Sequence, residues 1–184
     1  MCLCQNIAIG FEIEYYPDYF DKVVENLKAH GGEYLILGQH FVVPENIQEL
    51  GNYHQDDDEK RLTLYTLRII EAMKTGKITY IAHPDILSFT GDNELYCNEM
   101  KKICMASKEY DIPLEINFLG IRAHRRYPNE NFWRIAGKVG APVTFGFDAH
   151  LPEDAADLAS LETAEALVKK FDLNYIGRPV LRWL

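Results

Sequence analysis

Short apolar runs and longer amphipathic stretches alternate along this chain from end to end. The runs are rich in β-branched and aromatic residues and too short for helices. They predict strands over residues 5–15, Tyr34 to Gly38, from Ile78 up to His83, Pro113 to Asn117, Val143 to Phe147, and Asn174 to Ile176. The stretches between them carry apolar residues at helical spacing. Tyr16-Pro17-Asp18 opens a helix that runs to about His30 with Phe20, Val23, Val24 and Leu27 on one face, and Gly31-Gly32 ends it, since glycine tolerates the left-handed cap. Asp56 to Asp58 place negative charge at the start of the next helix, where the helix dipole favours it. That helix carries Leu62, Tyr65, Ile69 and Met73 along one face and stops at Gly76. Further helices are predicted over Asp92 to Tyr110, Asn131 to Val139 with Gly140 as its cap, and Pro152 to Phe171, with a loop from Phe118 to Asn129. A β, α, β, α order with no intervening linker predicts one α/β domain over residues 1–184, with parallel strands joined by helices.

The polar residues at the ends of the runs carry the chemistry. The run Ile78 to Asp85 passes abruptly into His83 and Pro84, so His83 is expected at the carboxyl end of its strand. The arrangement recurs: His40 follows the Tyr34 run, Asp148 and His150 follow the Val143 run, Glu12 lies within the Ile7 to Ile13 run, and Glu115 and Asn117 lie in the Pro113 run. Side chains near the same end of successive parallel strands converge on one site. Imidazole and carboxylate together suit Zn, Mn or Fe, provided that rigid backbone holds them around one cavity. Glu12, His40 and His83 meet that description. Asp148 and His150 alternate along an extended segment, so they point to opposite sides unless the chain turns there; ligation and a plain loop Asp with a surface His are both compatible with the sequence. Glu115 is either a general base or a structural acid. His30 sits as a favourable charge at a helix carboxyl end, His54 lies in a polar loop, and His124 lies among arginines. Of Arg122, Arg125 and Arg126, Arg122 is singled out as a phosphate contact, because guanidinium groups grip phosphate in a bidentate way; solvated surface charge is the alternative for all three.

Composition narrows the partners. With 184 residues, 47% apolar and 26% charged, the chain is long enough for a real core and ordinarily globular. No run approaches the roughly 20 apolar residues of a membrane span. Met1 to Asn6 lacks the features of a signal peptide, so a cytoplasmic protein without membrane association is expected. The net charge of −9 argues against nucleic acid, which a basic face would bind. It leaves room for a small phosphorylated substrate, because a metal supplies positive charge locally. Cys97 and Cys104 lie on one face of a predicted helix as small buried thiols, and Cys2 and Cys4 are taken as free thiols in preference to a C-x-C metal site.

With these residues in hand the chain resembles the polymerase and histidinol phosphatase (PHP) family, most closely its histidinol-phosphatase branch. The matching signatures are Gly10-Phe11-Glu12-Ile13-Glu14-Tyr15, Gly38-Gln39-His40-Phe41, Ala82-His83-Pro84-Asp85, Leu114-Glu115-Ile116-Asn117 and Gly146-Phe147-Asp148-Ala149-His150. The resemblance implies a distorted TIM-like barrel of seven βα units, with a cluster of divalent metal ions at the carboxyl ends of its strands. It implies metal-assisted hydrolysis of a phosphate ester, with L-histidinol phosphate as the branch's substrate. By position Glu12 matches the bridging carboxylate, His40 and His83 the histidines completing one ion's shell, Asp148 and His150 ligands of the other ions, and Arg122 the phosphate-contacting arginine. The family's opening His-x-His strand and a further histidine strand have no counterpart here, so the barrel is expected to be incomplete, lacking its first two βα units. Losing ligands removes transition-state stabilisation, which makes a catalytically inactive binding or structural module one alternative. A phosphoesterase acting on another phosphorylated metabolite or nucleotide is the other. An opened barrel would expose an edge on the Ile7 to Ile13 strand, where a homodimer or a partner is expected to associate.

Overall fold

A computed structural model describes residues 7–44, 46–47 and 50–184. Cys2 and Cys4, and the start of the strand expected from residue 5, lie outside the described residues. The sheet is built from β1 (Gly10–Ile13), β2 (Tyr34–Leu37), β3 (Ile78–Ile81), β4 (Leu114–Asn117), β5 (Pro142–Gly146) and β6 (Asn174–Tyr175). All neighbours pair in parallel, and the spatial order is the sequence order. Every strand therefore delivers its carboxyl end, and the loop that follows, to the same rim. β1 and β6 are the outer strands of this ladder and do not pair with each other among the described residues.

The helices are α1 (Phe20–Ala29), α2 (Glu59–Lys74), α3 (Asn93–Tyr110), α4 (Phe118–Arg122), α5 (Glu130–Val139) and α6 (Leu158–Phe171). The apolar face of α2 expected from the sequence is the face that packs: Leu62, Tyr65, Ile69 and Met73 are all buried. They meet a sheet whose Leu35, Leu37, Ile78, Ile81, Leu114, Ile116 and Val143 are each fully buried, and each such side chain contributes about 1.5–3 kcal/mol over its exposed state. Asp58 caps α2 by accepting from the Lys60 and Arg61 amides, and Asp92 caps α3 through the Leu95 amide. Caps of this kind stabilise a helix by about 1 kcal/mol. No helix among the described residues is long and apolar enough to cross a membrane.

Two boundaries differ from the sequence expectation. Phe118 to Asn129 is not all loop, because the Asn117 side chain accepts from the Gly120 amide at 3.0 Å and starts the short helix α4. The helix expected over Pro152 to Phe171 is broken into a 3₁₀ turn, Pro152–Ala156, and α6. Asp157 separates them: its carboxylate accepts from the Ser160 amide and begins α6 afresh. At the rim opposite the strand carboxyl ends, the last residues fold back across the sheet. The Leu184 amide bonds Glu33 O at 2.9 Å, and the Arg182 guanidinium donates to the carbonyls of Gly76, Tyr110 and Asp111, where α2 and α3 end.

Candidate metal centre

The carboxyl ends of β1, β2 and β3 bring three side chains together. Glu12 lies in β1, one residue before its end. His40 follows β2 in a turn fixed by two buried amides: Gln39 Oε1 accepts from the Tyr15 amide at 3.0 Å, and Asn52 Nδ2 donates to Gln39 O at 2.9 Å. His83 follows β3 with φ of +31°, a left-handed twist that turns its ring out of the ladder just before Pro84. Its amide leaves the sheet and donates to Glu115 Oε2 at 3.0 Å. The result is that Glu12 Oε1 lies 3.2 Å from His83 Nε2 and 3.8 Å from His40 Nε2. The three ligand atoms all fall within 4.8 Å of one another.

The 3.2 Å and 3.8 Å separations about Glu12 Oε1 suit a shared ion. Ligands about 2.0–2.1 Å from a zinc ion in tetrahedral array stand roughly 3.3 Å apart. The donor set, two imidazoles and one carboxylate, is one that Zn, Mn and Fe accept. His40 is also held in the right tautomer: Nδ1 lies 3.1 Å from Gly38 O and 3.4 Å from Glu14 Oε1, so the proton belongs on Nδ1 and the Nε2 lone pair faces the site. On the buried His83 ring, Nδ1 has no hydrogen-bond partner, which leaves Nε2 as the nitrogen directed at Glu12. Burial alone would raise the Glu12 carboxyl, but the His83 hydrogen bond and the nearby histidines outweigh it and hold Glu12 below its ordinary value. Burial likewise pulls His83 down, while its bond to Glu12 and the charges of Glu115, Glu12 and Asp148 prevail and lift it above the usual histidine value. A cation held by the triad would compete with a proton for His83 Nε2.

The cavity around the triad encloses about 380 Å³, and Glu12, His40, His83, Asp148 and His150 all line it. The chain does turn between the last two. Asp148 has φ of +44°, and His150 Nδ1 comes to 3.4 Å from Asp148 Oδ1. Asp148 Oδ2 accepts from Asn117 Nδ2 at 3.1 Å, while His150 stands largely exposed at the cavity mouth. Neither joins the close cluster of ligand atoms formed by Glu12, His40 and His83.

Of the two readings of Glu115, the structure favours the structural acid. It is buried, does not line the cavity, and accepts from the His83 amide and from Asn117 Nδ2 at 2.9 Å; burial pushes its carboxyl up to about 7. Arg122 lies outside the cavity lining. Its guanidinium donates to Phe147 O at 2.7 Å and to Asp148 O, and pairs with Asp154 and Asp157. It therefore braces the loop that carries Asp148 and His150. The arginine that lines the cavity is Arg125, beside Tyr127. Tyr127 drew no attention in the sequence, yet its ring centroid is 5.7 Å from that of His83. Glu14 lines the cavity as well, and its spacing of two from Glu12 within a strand run is the sequence sign of their shared face. His30 bonds Asn26 O at 2.8 Å at the end of α1, and the His54 ring lies tilted against Tyr53; neither belongs to the triad's cluster of ligand atoms.

No family model matches the chain. It is similar to a "probable phosphatase" of Thermoanaerobacter sp. (strain X514), 32% identical over 137 residues that make up 73% of this chain and 50% of the relative. A "probable phosphatase" of Shewanella sp. (strain ANA-3) is 28% identical over 111 residues, 59% of this chain and 40% of the relative. The chain thus spans about half the length of the curated relatives it matches. Among solved structures, histidinol phosphate phosphatase of Lactococcus lactis subsp. lactis Il1403, complexed with Zn, L-histidinol and phosphate, superposes with a TM-score of 0.63 at 15% identity. The match covers 91% of this chain and 67% of the other and identifies a shared fold.

Proposed function

We propose that this chain forms the metal-holding part of a PHP-type phosphoesterase that hydrolyses a phosphate monoester. The observation that carries the reading is the position of Glu12 Oε1 between His83 Nε2 and His40 Nε2, delivered by three consecutive strands to one cavity. The kinship to proteins named as phosphatases, and the fold shared with a histidinol phosphate phosphatase, support it.

Glu12, His40 and His83 would hold one divalent ion, and Asp148 and His150 stand where they can complete further coordination or move a proton. A divalent cation bound there supplies positive charge that polarises a phosphate ester and acidifies water. The rest falls to the chain. Asn117 orients Asp148, Glu115 fixes the His83 backbone, and Arg122 keeps the Asp148–His150 loop at the mouth of the cavity. The proposed compartment is the cytoplasm, and the proposed partner is a second copy of the chain, associated through the side of β1 that no strand among the described residues pairs.

L-Histidinol phosphate is the first substrate to offer. Phosphate release is measured with added Mn or Zn, with metal content determined on the same sample. Turnover that His83→Ala abolishes supports the enzyme. Stoichiometric metal without turnover on any phosphomonoester leaves the catalytically inactive binding module. Light scattering that returns a clean monomer rejects the second-copy association.

A further inference from the structure

A second cavity, of about 630 Å³, opens beside the triad's cavity and shares His40, Arg125 and Tyr127 with it. Tyr53, Ile86 and Arg126 complete its lining. The charges of the two cavities are segregated. The first is lined by the carboxylates of Glu12, Glu14 and Asp148, while the second, among the described residues, has two guanidinium groups and no carboxylate. In a chain of net charge −9, two arginines lining one cavity call for a cause. Neither arginine pairs with a carboxylate among the described residues. Arg125 bonds the Tyr127 hydroxyl at 2.9 Å and lies 5.9 Å over its ring, and Arg126 has no hydrogen bond or ion pair among the described residues. Nor is the segment loose: the Arg125 amide bonds Gly120 O at 2.9 Å, the His124 amide bonds Ile121 O at 3.1 Å, and the next residue, Tyr127, is buried against His83.

We infer that this second cavity receives the leaving-group half of the substrate, and that Arg126, with Arg125 at the junction, selects a leaving group bearing its own negative charge, a carboxylate or a second phosphate. The inference rests on the phosphoesterase reading for which end of the substrate faces the triad. Arg125, common to both cavities, reaches the transferring phosphate, whereas Arg126 lines only the second and is left for a charge beyond it. The same chemistry disfavours L-histidinol phosphate, whose protonated amine would enter a pocket holding two fixed cations. A charge-assisted contact of this kind changes binding by about tenfold.

The test uses two phosphomonoesters of nearly equal size, 3-phosphoglycerate and sn-glycerol 3-phosphate, which differ in a carboxylate against a hydroxymethyl group. Their dissociation constants are measured by calorimetry at low salt, with and without Mn, and turnover is measured separately. The expected result is about tenfold tighter binding of 3-phosphoglycerate, a preference that falls toward unity in Arg126→Ala, reverses in Arg126→Glu and shrinks with added salt. Circular dichroism verifies the fold of both variants, whose substituted position is exposed. Equal binding of the two esters, a preference untouched by Arg126→Glu, or L-histidinol phosphate turned over with a higher kcat/KM than 3-phosphoglycerate overturns the inference and leaves the phosphoesterase intact. Absence of turnover on every ester, with the binding preference present, overturns the phosphoesterase instead.

Discussion

Gly38 has no side chain because the Glu12 carboxylate occupies that space: a Cβ built on Gly38 would overlap Glu12 Oε1 and crowd its Cδ and Cγ. Glu12 lies in β1 and Gly38 directly follows the neighbouring β2, and the carboxylate lies over Gly38 on its way to His83 and His40. Gly38→Ala is therefore expected to displace the carboxylate without disturbing the hydrophobic core beneath it. Metal affinity should fall by at least about tenfold, the scale of losses seen when support around a ligand is removed. Titration with Zn or Mn reads the loss, and an unchanged circular dichroism spectrum assigns it to the site.

Metal itself should stabilise the fold, because Glu12, His40 and His83 stand at the ends of three different strands and meet only in the native state. With free metal at 100 times its dissociation constant the gain is about 2.7 kcal/mol, visible as a rise in Tm that a chelator reverses. Glu12→Gln and His83→Ala each should abolish that increment. His83→Ala also lowers the metal-free baseline, since His83 is buried; the test is the increment and not the absolute Tm. A metal-induced rise of equal size in both variants would place the ion elsewhere.

The parts of this arrangement that the sequence disclosed are those set by short-range rules. A strand period that ends in histidine and proline located His83, and helical spacing picked out the buried face of α2, because both depend on the chain's own geometry. What stayed hidden depends on neighbours distant in sequence. Gly38 and Gly146 look like ordinary strand-end glycines until Glu12 and Glu115 are seen lying over them. Tyr127 and Arg125 reach the cavity from an irregular segment whose path no periodicity fixes. Arg122 illustrates the same limit from the other side: its residue type suits phosphate, but only the folded loop reveals that carbonyls and carboxylates already surround it.

Cys104 provides a probe of the core away from the metal centre. It is fully buried on α3, and burial pushes its thiol well above the ordinary value, while Cys97, seven residues earlier on the same helix, is half-buried. A raised pKa means less thiolate at a given pH, and the thiolate is the form that reacts. At pH 8 an alkylating reagent should label Cys97 in the native protein and reach Cys104 only on unfolding, as read by peptide mass mapping. Native labelling of Cys104 at a comparable rate would mean that the packing of α3 against α2 and α5 is looser than described.

Arg122 separates a brace from a substrate contact. Its side chain is 18% exposed and donates to two backbone carbonyls of the loop after β5, while Asp154 and Asp157 take up its charge. Hydrogen bonds from a charged donor to such partners contribute about 1.5–3 kcal/mol. Arg122→Ala should therefore lower stability by about 2 kcal/mol, read as a shifted urea midpoint at constant m, and quicken proteolysis between residues 147 and 157. Arg122→Lys keeps the charge but not the planar fork that reaches several acceptors at once, so it should recover little of the loss. A phosphate contact predicts a different pattern: KM for the phosphate ester rises, lysine partly restores it, and the midpoint stays in place. The midpoint and KM together decide which of the two this guanidinium is.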